Sequence, residues 1–93
     1  MTTHAIATLT ISSPDKLAAY RERVGAALAR HGGALVQAAP DLQMLEGDEG
    51  PPDITAILSF PDRAAAQAWI ADPELSEVHA LRRSAGRSRI LLL

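Results

Sequence analysis

Between His4 and Ile11 the chain alternates in single steps, with His4, Ile6, Thr8 and Thr10 on one side and Ala5, Ala7, Leu9 and Ile11 on the other. That period of two predicts a strand, and because neither side is strongly polar it predicts a strand covered on both faces. The period then changes. Leu17, Tyr20, Val24, Leu28 and His31 recur every three or four residues, the spacing of one helical face. Ser13-Pro14-Asp15 before them is a helix start: Ser as cap, Pro at the first helical position and an acid in the first turn. Arg21, Arg23 and Arg30 lie off the stripe, and Gly32-Gly33 supplies the C-terminal cap.

Ala34 to Ala38 reads as a short strand interrupted by Pro40-Asp41, and Leu42 to Glu46 resumes the extended chain up to Leu45-Glu46-Gly47. Gly47 to Asp53 is turn chemistry, and Ile54 to Phe60 is a strand, so the middle of the chain is predicted as strand, turn and strand with Glu46 just before the turn. Pro61-Asp62 opens a second helix through Ala64, Ala65, Ala68 and Trp69. Asp72-Pro73-Glu74 repeats the cap-plus-proline signal, which breaks this helix in two. The second piece runs from about Pro73 to Ser84 with Leu75, Val78, His79 and Arg82 along one face, Gly86 closes it, and Ser88 to Leu93 is the last strand.

The order β-α-β-β-α-β is the split βαβ arrangement of the ferredoxin-like fold, in the α+β class. Both crossovers then lie on one face of a four-stranded antiparallel sheet, and the other face is left bare. Read as substantially apolar, that face predicts a homodimer in which two open sheets pack together into a barrel. One domain is expected over residues 1–93.

Composition narrows the partners. With 93 residues and a hydrophobic share of 47% the chain fits a small globular domain that gains from burying surface against a second subunit. Phe60, Trp69 and Tyr20 are its only aromatics and its net charge is −2, which argues against nucleic acid, whose binding needs stacking platforms and a basic surface. Arg82, Arg83, Arg87 and Arg89 form the one basic cluster, read first as a solvated face and second as an anion site. The lack of cysteine removes thiolate chemistry and fits a cytoplasmic chain. No signal pattern opens the sequence and no apolar run reaches the roughly 20 residues of a membrane helix, so no membrane partner is expected.

Taken in order, Tyr20, His31-Gly32-Gly33, Leu45-Glu46-Gly47, Ser59-Phe60-Pro61-Asp62, Ala68-Trp69 and Asp72-Pro73-Glu74 with Arg82 resemble family 1330 of the domains of unknown function, within the dimeric α/β-barrel superfamily. The resemblance extends from His4 to Leu93 and implies the same fold and a dimer. The superfamily includes cofactor-free monooxygenases of antibiotic biosynthesis, muconolactone isomerases, polyketide cyclases, haem-degrading enzymes and stress-response barrels. These share a cavity between sheet and helices but no common catalytic set. The chain departs from the family pattern at Ala34, where a basic residue is common, at Gln37-Ala38-Ala39-Pro40 in place of an Arg-Gly-Gly-like run, and at Leu75 in place of an aromatic. A less polar, less anion-seeking pocket follows.

Glu46 is the first catalytic candidate: a carboxylate at a strand end beside Met44 and Leu45 can be desolvated and suited to proton abstraction, or else pair with an Arg. His31, at the end of the first helix, is either a cation on the last carbonyls or an acid–base group at the cavity mouth. His79 reaches the cavity or the dimer seam. Tyr20 and Trp69 pack in the core with polar tips that need partners. Arg82, beside an apolar stripe, should pair with Glu46, Asp72 or a substrate carboxylate. Phosphate-cradling, dinucleotide, metal-spacing and nucleophile-elbow motifs are absent, so neither metal nor cofactor is expected. Two functions stand: a cofactor-independent enzyme acting by proton transfer on a hydrophobic or aromatic metabolite, with Glu46, His31 and Tyr20 as acid–base set, and a non-catalytic dimer that binds a ligand or stabilises another protein. Haem binding through His31 or His79 is a third.

Overall fold

In the computed structural model, which describes residues 1–93, the elements follow in the order β1 (Thr3–Ile11), α1 (Pro14–Ala29), β2 (Ala34–Ala39), β3 (Ile54–Phe60), α2 (Arg63–Ala71), a 3₁₀ turn (Pro73–Leu75), α3 (Ser76–Ala85) and β4 (Gly86–Leu92). The four strands form one antiparallel sheet in the order β2-β3-β1-β4. This is the ferredoxin-like α+β fold, with its second helix broken where Asp72-Pro73 required.

Local chemistry accounts for the boundaries. The Ser13 side chain accepts the Lys16 N–H at the start of α1, and Asp62 does the same for the Ala65 N–H at the start of α2. Gly32 takes φ +71° after α1, the left-handed conformation a helix end favours in glycine. Asp72 stops α2 and starts the 3₁₀ turn by accepting the Glu74 N–H at 2.9 Å.

The helices cover the face of the sheet that carries Ala5, Leu9, Leu58 and Phe60, all buried. Trp69, Leu28, Val78 and Leu75 meet that face from α1, α2, the 3₁₀ turn and α3. In α3 the expected face of Leu75, Val78, His79 and Arg82 is buried as a unit. In α2 the buried positions are Ala66 and Trp69, while Ala64 and Ala68 face outward.

Two expectations are corrected. The extended run ending at Glu46 is not a strand: β2 stops at Ala39, and residues 40–53 form an irregular crossing with Leu45 89% exposed. Pro40 removes a ladder donor, and two glycines with two prolines follow before β3. β2 is an edge strand with a register shift between Leu35 and Gln37. Finally, the open face is mixed. Across it Leu91, Ile6 and Ile57 make one apolar row, while the next row is Arg89, Thr8 and Thr55.

Candidate functional site

Four of the residues singled out from the sequence meet on the helix side of the sheet. Trp69 from α2 packs on Phe60 at 5.4 Å between ring centroids and edge-on to His79 at 4.8 Å. The Arg82 guanidinium lies 5.5 Å from the Trp69 ring and 5.8 Å from that of Tyr20, in cation–π range. Helical spacing places His79 and Arg82 one turn apart, and Arg82 Nη1 donates to His79 Nδ1 at 2.8 Å. The other nitrogen, His79 Nε2, lies 2.9 Å from the Trp69 carbonyl, to which it donates. Only the neutral imidazole with its proton on Nε2 satisfies both bonds. Burial, and then the positive charge of Arg82, push the His79 pKa below its ordinary value.

Of the partners expected for Arg82, neither Glu46 nor Asp72 reaches it; its partner within the protein is His79, and the expectation of a substrate carboxylate is not touched by this. Arg82 is also not part of a solvated face, being 5% exposed, while Arg83, Arg87 and Arg89 are exposed. His79 is 2% exposed, inside the core rather than at a cavity rim or open sheet face.

Tyr20 connects this cluster to a cleft of about 370 Å³ between α1 and the sheet. Leu17, Val24, Leu28, Leu35 and Ile54 line it with Tyr20, and 12 of its 14 residues are hydrophobic. Gly25 belongs to the α1 wall, and a Cβ there would meet nothing within 4 Å. No packing demand explains a mid-helix glycine, which is less favourable than alanine by about 0.5–1 kcal/mol. Its effect is to widen the cleft.

Glu46 and His31 are not brought to that cleft. Glu46 sits in the exposed 40–53 crossing. His31 lies just past α1, its Nε2 2.8 Å from Asp72 Oδ2, the oxygen that also accepts Arg30 Nε at 2.8 Å. Arg30 reaches Glu74 as well, so Asp72 ties the end of α1 to the corner between α2 and the 3₁₀ turn. The bond to His31, the Glu74 N–H and Arg30 hold the Asp72 carboxyl down at about 2. No group of three or more His, Cys, Asp or Glu side chains is gathered in metal-binding geometry. A cavity between sheet and helices is what the family resemblance implies; that α1 and Tyr20 border it while Glu46 and His31 do not is decided by the tertiary structure. The one local sign of its place is Gly25, beside Val24 of the α1 stripe.

The two depressed pKa values set a pH dependence. Unfolding releases His79 to its ordinary value of 6.5, so the unfolded chain binds the extra proton and stability falls as pH drops below about 6.5. Asp72 adds a second loss as pH falls from about 4 towards 2. Thermal unfolding followed from neutral to acid pH should show both declines, with His79→Gln flattening the upper one and Asp72→Asn the lower. A midpoint unchanged between neutrality and pH 5 would contradict the neutral, buried His79.

The family of unknown function DUF1330 matches residues 2–93. The chain belongs to the DUF1330 family. A DUF1330 chain with this fold has solved relatives in structure. One is a protein of unknown function from Rhodopseudomonas palustris, 28% identical with a TM-score of 0.73, covering 99% of this chain and 80% of that one. A second, from Jannaschia, is described as a dimeric ferredoxin-like protein of unknown function, at 14% identity and a TM-score of 0.73, covering 100% and 98% of the two chains. A third is SnoaB of Streptomyces nogalater, a cofactor-independent oxygenase, at 18% identity and a TM-score of 0.66, covering 99% and 89%. At these last identities the likeness is one of fold. No curated protein matches this DUF1330 chain.

Proposed function

We propose that this DUF1330 protein is a homodimer that binds an apolar or aromatic small molecule in the cleft between α1 and the sheet and transforms it by proton transfer without a cofactor. The observation that carries the reading is the cleft itself, whose volume and apolar lining suit a small ligand, with Tyr20 as its phenolic group. The Tyr20 hydroxyl makes no hydrogen bond within the protein and is free for a ligand. Of the acid–base set Glu46, His31 and Tyr20, only Tyr20 lines the cleft, so it carries the role in this reading. The cofactor-independent oxygenase of the same fold supports chemistry without a cofactor, and the dimeric relative supports pairing, which this reading assigns to the open sheet face. The apolar row of Leu91, Ile6 and Ile57 is the natural centre of that pairing.

The test uses the uncharged fluorophore N-phenyl-1-naphthylamine, which brightens in apolar sites. Its binding should saturate on the wild-type dimer and weaken by about 10-fold in Gly25→Phe, which fills the cleft from an open helical position. Gly25→Ala should bind the probe while raising stability by about 0.5–1 kcal/mol. Equal binding in Gly25→Phe would reject the cleft. Turnover is sought by oxygen uptake and absorbance with polycyclic phenols. Tyr20→Phe should lose it and keep probe binding.

A second reading is a binding protein without catalysis. It is favoured by the exposed place of Glu46, the engagement of His31 with Asp72 and the two occupied ring nitrogens of His79. Equal behaviour of Tyr20→Phe and wild type, with probe binding intact, selects it.

A further inference from the structure

Arg82 is a buried cation without a counter-ion. Its side chain is almost wholly enclosed, its one acceptor is the neutral Nδ1 of His79, and its Nε is buried with no partner. The ion pairs of the chain involve Arg23, Arg30 and His31, and none reaches Arg82. A buried charge is strongly unfavourable when unpaired, and a guanidinium cannot escape by losing its proton. Tyr20 and Trp69 offer ring faces, which attract the cation but do not neutralise it.

Space for an anion lies beside it. A hollow of about 170 Å³ opens between α2, α3 and β4, lined by Arg82, Arg83, Ser88, Ile70 and Ile90. Ile70 and Ile90 are shared with a neighbouring recess of about 140 Å³ under α2, which Trp69, Phe60, Ala66 and Leu92 also line. The pair of hollows is thus cationic and hydroxyl-bearing at one end, apolar and aromatic at the other. We propose that they bind a small monocarboxylic acid, its carboxylate on Arg82 with Arg83 and Ser88 as further donors, and its short hydrocarbon part against Trp69.

A carboxylate matches the planar donor set of a guanidinium, and its single charge balances the single buried cation. A phosphate brings a second negative charge that only the exposed Arg83 could meet, and it leaves the apolar recess unmatched. This site shares Ile90 with the α1 cleft but no other lining residue, so it stands or falls independently of the activity proposed there.

Trp69 is the only tryptophan in the chain and lines the apolar recess, which makes its emission a direct reporter. Butyrate titrated into the wild-type protein at constant ionic strength should change that emission saturably and raise the unfolding midpoint. Butyramide, of the same shape without the charge, should bind at least about 10-fold more weakly, and inorganic phosphate should not compete. Arg82→Met should abolish the response. Because Arg82 is a core residue, Arg83→Ala and Ser88→Ala provide the parallel test at positions outside the core, each expected to weaken butyrate several-fold in a folded protein. The proposal is overturned by no saturable response to butyrate in either readout, by butyramide binding as well as butyrate, by preference for phosphate, or by wild-type affinity in the Arg83→Ala/Ser88→Ala double variant.

Discussion

Trp69→Ala should destabilise the protein by about 3–5 kcal/mol, enough to leave much of a small domain unfolded at room temperature. The side chain is 2% exposed and touches three different partners: Phe60, the edge-on His79 ring and the Arg82 guanidinium. Truncation removes the largest fully buried side chain, opens a cavity and withdraws one of the two aromatic faces over a charge that has no counter-ion. Trp69→Phe separates shape from polarity. The indole Nε1 is buried and makes no hydrogen bond, so deleting it leaves no partner unpaired. The Phe variant should therefore recover most of the loss. Urea unfolding followed by circular dichroism gives both midpoints, and an unchanged slope confirms that stability alone has moved. If Phe proves as damaging as Ala, the account of Trp69 as a shape-filling side chain with a dispensable N–H fails.

Gly86→Ala should cost about 3 kcal/mol or more, for a different reason. A Cβ on Gly86 would fall 1.9 Å from the Thr10 carbonyl oxygen and 3.1 Å from the Ile11 Cα, both backbone atoms that no rotamer change can move. Gly86 opposes Ile11 in the ladder, and the adjacent Ala85 carbonyl accepts the N–H groups of Ser12 and Ser13. Relief of the clash thus requires β1 and β4 to separate where α3 delivers the chain to the sheet. Hydrogen exchange should show the loss concentrated at Thr10–Ser13 and the start of β4. A variant as stable as wild type would mean that these strands lie further apart than the structure has them. From sequence this glycine reads as a helix cap, yet its φ of 162° is extended and its role is close approach.

Both predictions bear on the site as well as on stability. Trp69 and Arg82 line the two hollows beside α2, and Gly86 sets how closely β4, with Ile90, is drawn against β1. A looser β4 changes the one residue that all of these spaces share.

The element order, the caps at Ser13, Asp62 and Asp72 and the buried face of α3 were all written in the sequence, because each depends on residues within one or two turns of one another. Period, capping and proline placement are short-range, and four of the proposed site residues fell on the correct buried faces for that reason. Which side chains meet is a different matter. The His31–Asp72 bond joins residues 41 apart, and Arg82 chose His79 over the carboxylates because Glu46 lies in the exposed crossing and Asp72 is held by His31 and Arg30. The 40–53 crossing has no hydrophobic period to place it, so composition allowed a strand there while packing did not require one. The cleft beside Gly25 and the uncompensated charge of Arg82 exist only once α1, α2, α3 and β4 converge on one face of the sheet. Local periodicity determined the elements, and the long-range fit between their faces decided the site.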